Sequence, residues 1–337
     1  GETMARRSLV CVLLFFYFST YFATPLASSQ QIDKKVTVIS IPGLTFDHIA
    51  AMHGPHLRYL VDEGSMGAMN LRTAGADTLA NSYATLAVGR RVSVPQQESF
   101  YQVNELLMDR PASAWVKERL GVRVKEGVVY PWLAACAQKN RIGEATVLNM
   151  MLGDVLREAG IRTAVWGNSD WGEEDVRYAP FLTMGRHGHT LEAVINHELV
   201  TEGADRPFGI KTNYASLLAR MQMSNAPFRV VELGDLYRLE QEAENMTKQR
   251  IDEVERAILR EIDLFLGDVL ASLADGDTLW LISPHLPATD SKHHVQLAPV
   301  ICFQAGSTGG LLHSPTTRRA GIVANVDFAP TVIQSFG

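Results

Sequence analysis

Short β-branched runs alternate with helix-length amphipathic segments along most of this chain, and no other feature narrows its fold so far. Residues 36–41 form a Val/Ile-rich run of the kind buried on both faces, stopping at Pro42-Gly43. A helix is expected over 47–63, closed by Gly64, then a strand at 66–71 and a helix at 80–88 behind a Thr-rich turn. The alternation resumes with a helix over 147–159 and a strand at 162–166 that runs into Gly167-Asn168-Ser169-Asp170. Further strands are expected at 228–233, 278–283 and 299–303. Ile251, Val254, Ile258, Ile262, Phe265, Leu266, Val269 and Leu273 recur at three-to-four spacing, the strongest helix signal in the chain. Strands alternating with helices predict an α/β fold, a doubly wound and mostly parallel sheet with helices on both faces. Residues 92–143 break the rhythm and read as an inserted excursion or small cap.

Composition removes several classes. With 46% hydrophobic and 20% charged residues in 337, the chain can bury a large core, which excludes wholesale disorder and a polytopic membrane protein. A net charge of −6 offers no basic field, so no nucleic-acid partner is expected. Three cysteines are too few for a disulfide scaffold, and Cys136 and Cys302 read as buried free thiols. At the N-terminus Arg6-Arg7 precede an apolar run from Leu9 to about Ala23 and the small residues Ala27-Ser28-Ser29. That order is the pattern of a secretory signal peptide over 1–29. An uncleaved anchor is the alternative, and it would associate the protein with a membrane. Either way residues 33–337 form the working domain, outside the cytoplasm.

In open α/β sheets, ligands collect beyond the carboxyl ends of the strands. Attention therefore falls on Pro42, Thr78, Asn168 and Asp170, Asp235, and the segment after Ser283. His285, His293, His294 and Asp290 lie within one short loop, and imidazole with carboxylate is a usual ligand set for zinc or manganese. A solvated loop would carry the same residues. Thr78, at the mouth of a predicted helix, is a candidate nucleophile favoured by the helix's partial positive charge; it would serve equally as an ordinary N-cap. Arg72 and Asn81 flank it as candidate phosphate contacts. Asp235 follows a strand, either as a metal ligand or as the partner of Arg238 at a helix start.

Taken together these segments resemble the alkaline phosphatase superfamily, which includes cofactor-independent phosphoglycerate mutases, sulfatases and nucleotide pyrophosphatases. The likeness is carried by residues 297–301, 314–323 (Ser-Pro-Thr-Thr-Arg-Arg-Ala-Gly-Ile-Val) and 327–332 (Asp-Phe-Ala-Pro-Thr-Val). Arg72-Thr73-Ala74-Gly75, Asn81-Ser82-Tyr83-Ala84-Thr85 and Gly167-Asn168-Ser169-Asp170 extend it toward a divergent exported bacterial branch. The resemblance implies a two-metal site in which a Ser/Thr nucleophile attacks a phosphate or sulfate ester. Thr78 matches the nucleophile, Asp235 and His285 match two ligands, and His293 or His294 matches a third.

The departures matter more than the matches. Where the family ends its first strand in a metal-binding aspartate, this chain has Pro42. Leu239 stands at a ligand histidine, and Pro284 stands at the aspartate of an Asp-His pair. Two protein ligands per site fall short of the three that a catalytic zinc generally has. The retained set would hold one divalent ion, zinc or manganese, or none, unless Asp290, Asp170 or Asp47 replaces a lost carboxylate. The expectation is a protein impaired in ordinary ester hydrolysis, acting as an envelope binding or structural component. The alternative is a hydrolase that uses Thr78 with a rearranged metal site.

Overall fold

The structure, a computed structural model, describes residues 34–51, 54–95, 98–141, 151–288, 297–307, 309–310, 312, 315–317 and 319–337. The signal-peptide segment, Asp290, His293 and His294 lie outside the described residues. Eight strands build the main sheet: β1 (Val36–Ser40), β2 (Ser65–Asn70), β3 (Thr163–Trp166), β4 (Glu192–Val194), β5 (Phe228–Glu232), β6 (Thr278–Ile282), β7 (Leu297–Gln304) and β8 (Ile322–Ala324). Their order is β8-β2-β7-β6-β1-β5-β3-β4. All run parallel except β7, which is antiparallel to both β6 and β2. The expected doubly wound α/β fold is what the chain adopts.

Ten α-helices accompany these strands among the described residues: α1 (Phe46–Ala51), α2 (Pro55–Glu63), α3 (Leu79–Val88), α4 (Ala112–Leu120), α5 (Leu133–Lys139), α6 (Leu152–Glu158), α7 (Tyr214–Met223), α8 (Asp235–Glu242), α9 (Lys248–Ala271) and α10 (Phe328–Gln334). β1 lies at the centre, paired with β5 and β6, and all five of its residues are buried. The pleat sends its side chains alternately to opposite faces. Ile39 and Ile41 join Val231, Leu233, Leu279 and Leu281 in a core shared with α2, α7, α8 and α9. From α9 that core takes Val254, Ile258, Ile262, Phe265, Leu266 and Val269, all in the stripe legible in the sequence, and also Leu259, which that stripe did not include. Each such side chain contributes roughly 1.5–3 kcal/mol of burial. The opposite face, with Ser40, Glu232 and Trp280, turns toward α3 and α10: Tyr83 of α3 bonds Glu232, and Phe328 of α10 packs edge-on against Trp280 at 5.6 Å.

Two expectations need correction. The single helix read over 47–63 is two, α1 and α2. Pro55 opens α2, and Gly54 before it sits so close to Asp263 that a Cβ would meet its carboxylate at 2.1 Å. Asp263 accepts from the His56 and Leu57 backbone N–H groups, so it satisfies the new helix start from across the core. The aperiodic stretch 92–143 is also more built than expected. Tyr101–Gln102 pairs with Val128–Val129, which pairs with His189–Thr190, while α4 and α5 pack around it. Its own small core gathers Tyr101, Val103, Leu107, Ala112, Val116 and Val129. Short strands of two residues give no periodic signal, which is why the sequence showed none. Arg177, 5% exposed, ties this region to the strand-end loop: it donates to Glu105 at 2.7 Å and to Asp170 at 2.8 Å, and pairs with Asp175.

Cys136 and Cys302 are free, and burial pushes each thiol up to about 12. Neither is a reactive thiolate near neutrality.

Candidate functional site

Helix α3 begins at the edge of the sheet with Thr78 as its N-cap: the Thr78 hydroxyl oxygen accepts from the Asn81 N–H at 3.2 Å. All ten residues of α3 are buried, so the helix enters the fold rather than lying on it. Asn81, read as a phosphate contact, is committed elsewhere. Its amide donates to the Ala76 carbonyl at 2.8 Å, and its oxygen accepts from the Val94 N–H at 2.7 Å. It clamps the turn before α3 to the segment after it. Arg72 has an exposed side chain, and its carbonyl accepts from Asn325 at 2.9 Å. Thr78 lines a small hollow of about 30 Å³ with Leu71, Asp77, Ser82, Pro284, His285 and Leu286. The structure thus brings two of the sequence candidates, Thr78 and His285, to one place.

The imidazole of His285 has its own partners on α8. Its Nε2 lies 2.7 Å from Glu240 Oε2, and its ring meets that of Tyr237 edge-on at 5.4 Å. The His285 carbonyl accepts from the Gly43 N–H and from the Ser283 hydroxyl, both at 2.9 Å. Those bonds join the ends of β1 and β6 where the family pattern would place two aspartates and the chain has Pro42 and Pro284.

Asp235 stands three residues after β5, at the start of α8, fully buried. Of the two roles open to it in the sequence, the pairing with Arg238 is the one the geometry makes. Arg238 Nη1 donates to Asp235 Oδ1 at 2.8 Å, with both side chains at 0% exposure. The Thr212 N–H donates to both carboxylate oxygens, at 3.0 and 3.2 Å. The rest of the guanidinium is as fully engaged: Nη2 donates to the Asn168 carbonyl and side-chain oxygen, and Nε to the Asp170 carbonyl. A buried charge pair must satisfy its remaining donors and acceptors to be tolerable, and this one does.

Between these two groups lies a network the sequence reading missed. Glu232, the last residue of β5, is 0% exposed. It accepts from Tyr83 Oη and from Ser169 Oγ, each at 2.5 Å, and Ser40 Oγ lies 2.6 Å from the tyrosine oxygen. Burial raises its carboxyl to about 7, against the pull of the two hydroxyl bonds and of Arg238. The same burial, with Glu232 beside it, holds the Tyr83 phenol well above its ordinary value. Gly167 makes the close approach possible. At φ +100 it turns β3 past β5 so tightly that a Cβ would meet the Glu232 carbonyl at 2.1 Å. Glu232 was visible only as the polar last letter of an apolar run, Phe-Arg-Val-Val-Glu, which is itself a weak sign of a strand-end site.

The described residues do not fit a two-metal centre. Asp235 is held by a guanidinium and a backbone N–H, and His285 is bonded to Glu240. Asp170 lies against Arg177, and Asp47 is exposed on α1. Among the described residues no group of three His, Cys, Asp or Glu side chains converges as a metal site.

No protein-family model and no curated protein matches the sequence. Solved structures do match it. An alkaline phosphatase superfamily protein from Vibrio parahaemolyticus aligns at a TM-score of 0.52 and 14% identity, over 90% of this chain and 66% of its own length. The lipoteichoic acid synthase LtaP from Listeria monocytogenes aligns at 0.51 and 11% identity, over 90% of this chain and 72% of that one. The Streptococcus pyogenes phosphoglycerol transferase GacH, solved with sn-glycerol-1-phosphate, aligns at 0.50 and 11% identity, over 90% and 74%. This chain therefore spans about two thirds of the length of the Vibrio protein. It carries the alkaline phosphatase superfamily fold.

Proposed function

We propose that this protein is an exported alkaline phosphatase-like pseudoenzyme, impaired in two-metal ester hydrolysis and acting as a binding or structural component outside the cytoplasm. The pairing of Asp235 with Arg238 carries the reading. A carboxylate that the resemblance assigns to a metal instead neutralises a fixed guanidinium, inside the protein and away from water. An arriving cation would have to displace that charge as well as shed its own hydration. Pro42 and Pro284 add no oxygen ligand at the neighbouring strand ends. The N-terminal apolar segment supports export.

The test is elemental analysis of the domain after dialysis against zinc and manganese, with an aryl-phosphate assay beside it. The expected result is substoichiometric metal and no turnover above buffer. Near-stoichiometric metal that is lost in His285→Ala, with turnover lost in Thr78→Ala, would overturn the reading. That outcome would establish the second one, a hydrolase with a rearranged site. Its support is that Thr78, at a helix N-terminus, shares one hollow with His285.

A further inference from the structure

The inserted region carries an apolar point that turns outward. Leu106–Leu107 pairs with Arg110–Pro111 in a tight hairpin, with Met108 and Asp109 at its turn. Leu106 is 68% exposed and Met108 76%, while Leu107 between them is buried in the small core of that region. Among the described residues Met108 is the one non-glycine residue at positive φ, +59. A side chain in that left-handed conformation persists only where its surroundings fix it. Trp115 ties the turn down from beneath: its Nε1 donates to the Leu107 carbonyl at 2.9 Å, and the Arg110 guanidinium lies over its ring at 3.9 Å.

Charge identifies what covers these side chains. Residues 110–125 hold five cations, Arg110, Lys117, Arg119, Arg123 and Lys125, against one carboxylate, Glu118, in a chain whose net charge is −6. Arg110 is bonded to Glu118 at 2.7 Å, whereas the other four are exposed and make no ion pair among the described residues. The Arg119 guanidinium lies 4.6 Å from the centre of the Trp115 ring, so its charge stands beside the side chain that holds the turn. Val122 and Val124 pack on the small core, and Arg123 and Lys125 alternate with them on the outside. Apolar tips, an indole and uncompensated cations together suit an anionic lipid surface. Aliphatic side chains enter the acyl boundary there, indole lies at headgroup level and cations meet phosphates. A second copy of this chain, docking through the same face, would set like charge against like. The N-terminal apolar segment, read as signal or anchor, takes the chain to a membrane in either case.

We propose that the Leu106–Met108 turn docks into an anionic lipid surface, with Leu106 and Met108 in the boundary beneath the headgroups and the cations of residues 110–125 facing lipid phosphates. The proposal goes beyond the reading of the strand-end site and stands whether or not that site holds a metal. No bond is made or broken.

The experiment puts an environment-sensitive fluorophore on the turn of the full chain, through Met108→Cys in a Cys11→Ser background. Cys136 and Cys302, with thiols raised to about 12, stay unlabelled near neutrality. The control carries the label through Met223→Cys, at an exposed position on α7. Each is mixed with vesicles of phosphatidylcholine alone, or of phosphatidylcholine and phosphatidylglycerol in equal parts. Emission should shift to the blue on the anionic vesicles only, and from position 108 only. Arg123→Gln with Lys125→Gln removes two side chains that make no contact holding the fold, and unchanged thermal unfolding checks this. That pair should lower the ratio of buried to exposed label about 25-fold, or about fivefold for each cation near an anionic surface. No shift on anionic vesicles, an equal shift on phosphatidylcholine alone or from Met223→Cys, or full docking by the double variant overturns the proposal. A blue shift without vesicles that grows with protein concentration also overturns it, and assigns the face to a second copy of the chain. Metal content and turnover are measured separately, so failure here leaves the reading of the strand-end site untouched.

Discussion

Asp235 and Glu232 lie three positions apart on the same strand-to-helix passage, both carboxylates are fully buried, and they are handled in opposite ways. Asp235 is paired with the Arg238 guanidinium and accepts the Thr212 N–H on both of its oxygens. Glu232 has two hydroxyl donors and is pushed toward its neutral form. Among the described residues the buried Ser82 hydroxyl has no hydrogen-bond partner. One end of the sheet therefore holds a closed ion pair, a carboxyl raised to about 7 and a buried hydroxyl with no partner among the described residues. Closure was achieved with side chains already in the fold, because Arg238 reaches Asp235 from the next turn of the same helix.

The largest effect that separates these arrangements is expected at the closed pair. Arg238→Met leaves Asp235 buried and uncompensated, and should cost about 3–5 kcal/mol in urea unfolding. Asp235→Asn combined with Arg238→Met should recover much of that loss. A double variant no better than the single one would mean that the bonds to Asn168 and Asp170, rather than the charge pair, dominate.

Glu232 sharpens the contrast through pH. Its folded value, about 7, lies above the ordinary carboxyl value of 4.5, so the native state holds the proton more tightly than the unfolded chain does. Its contribution is therefore full below about 4.5 and is lost as pH rises through about 7, weakening the fold by a few kcal/mol across that window. Glu232→Gln should flatten the dependence, read as unfolding midpoints from pH 4.5 to 8. An equally steep curve in the variant would assign the titration to another group, with Glu98, also raised to about 7 by burial, the first to examine.

The smallest effects belong to α3. Thr78→Ala removes a cap and should cost about 1 kcal/mol, whereas Ser82→Ala removes no bond and should fall within about 0.5 kcal/mol of the parent. A large loss on Ser82→Ala would show that its hydroxyl has a structural partner after all, and would close the distinction between the paired and unpaired groups.

Much of the architecture was legible from periodicity. β1, β5, β6 and α9 appear within a few residues of their expected bounds, because a buried parallel strand and a long amphipathic helix each impose a period. The edge strand β4 was not foreseen; three residues are too few to show one. Of the candidate site, Thr78 and His285 converge, and the Asp235–Arg238 alternative was readable from their spacing of three on a helix. Glu232 and Tyr83 could not be paired from the sequence, since β5 and α3 meet only through the sheet's register. Asn81 looked like a ligand contact because an amide has the same donors whether it faces a phosphate or a neighbouring turn.

Arg177 gives the molecule a lever. One guanidinium is shared between Glu105 of the inserted region and Asp170 of the loop beyond β3, so the two carboxylates hold the ends of a single tether. If Asp170 is drawn away the guanidinium keeps only Glu105 and Asp175, and loss of Glu105 leaves it wholly to the loop. The backbone amides of the inserted region should therefore change their hydrogen-exchange protection when the strand-end loop is perturbed. An element outside the main sheet would then serve as a remote gauge of events at its carboxyl edge.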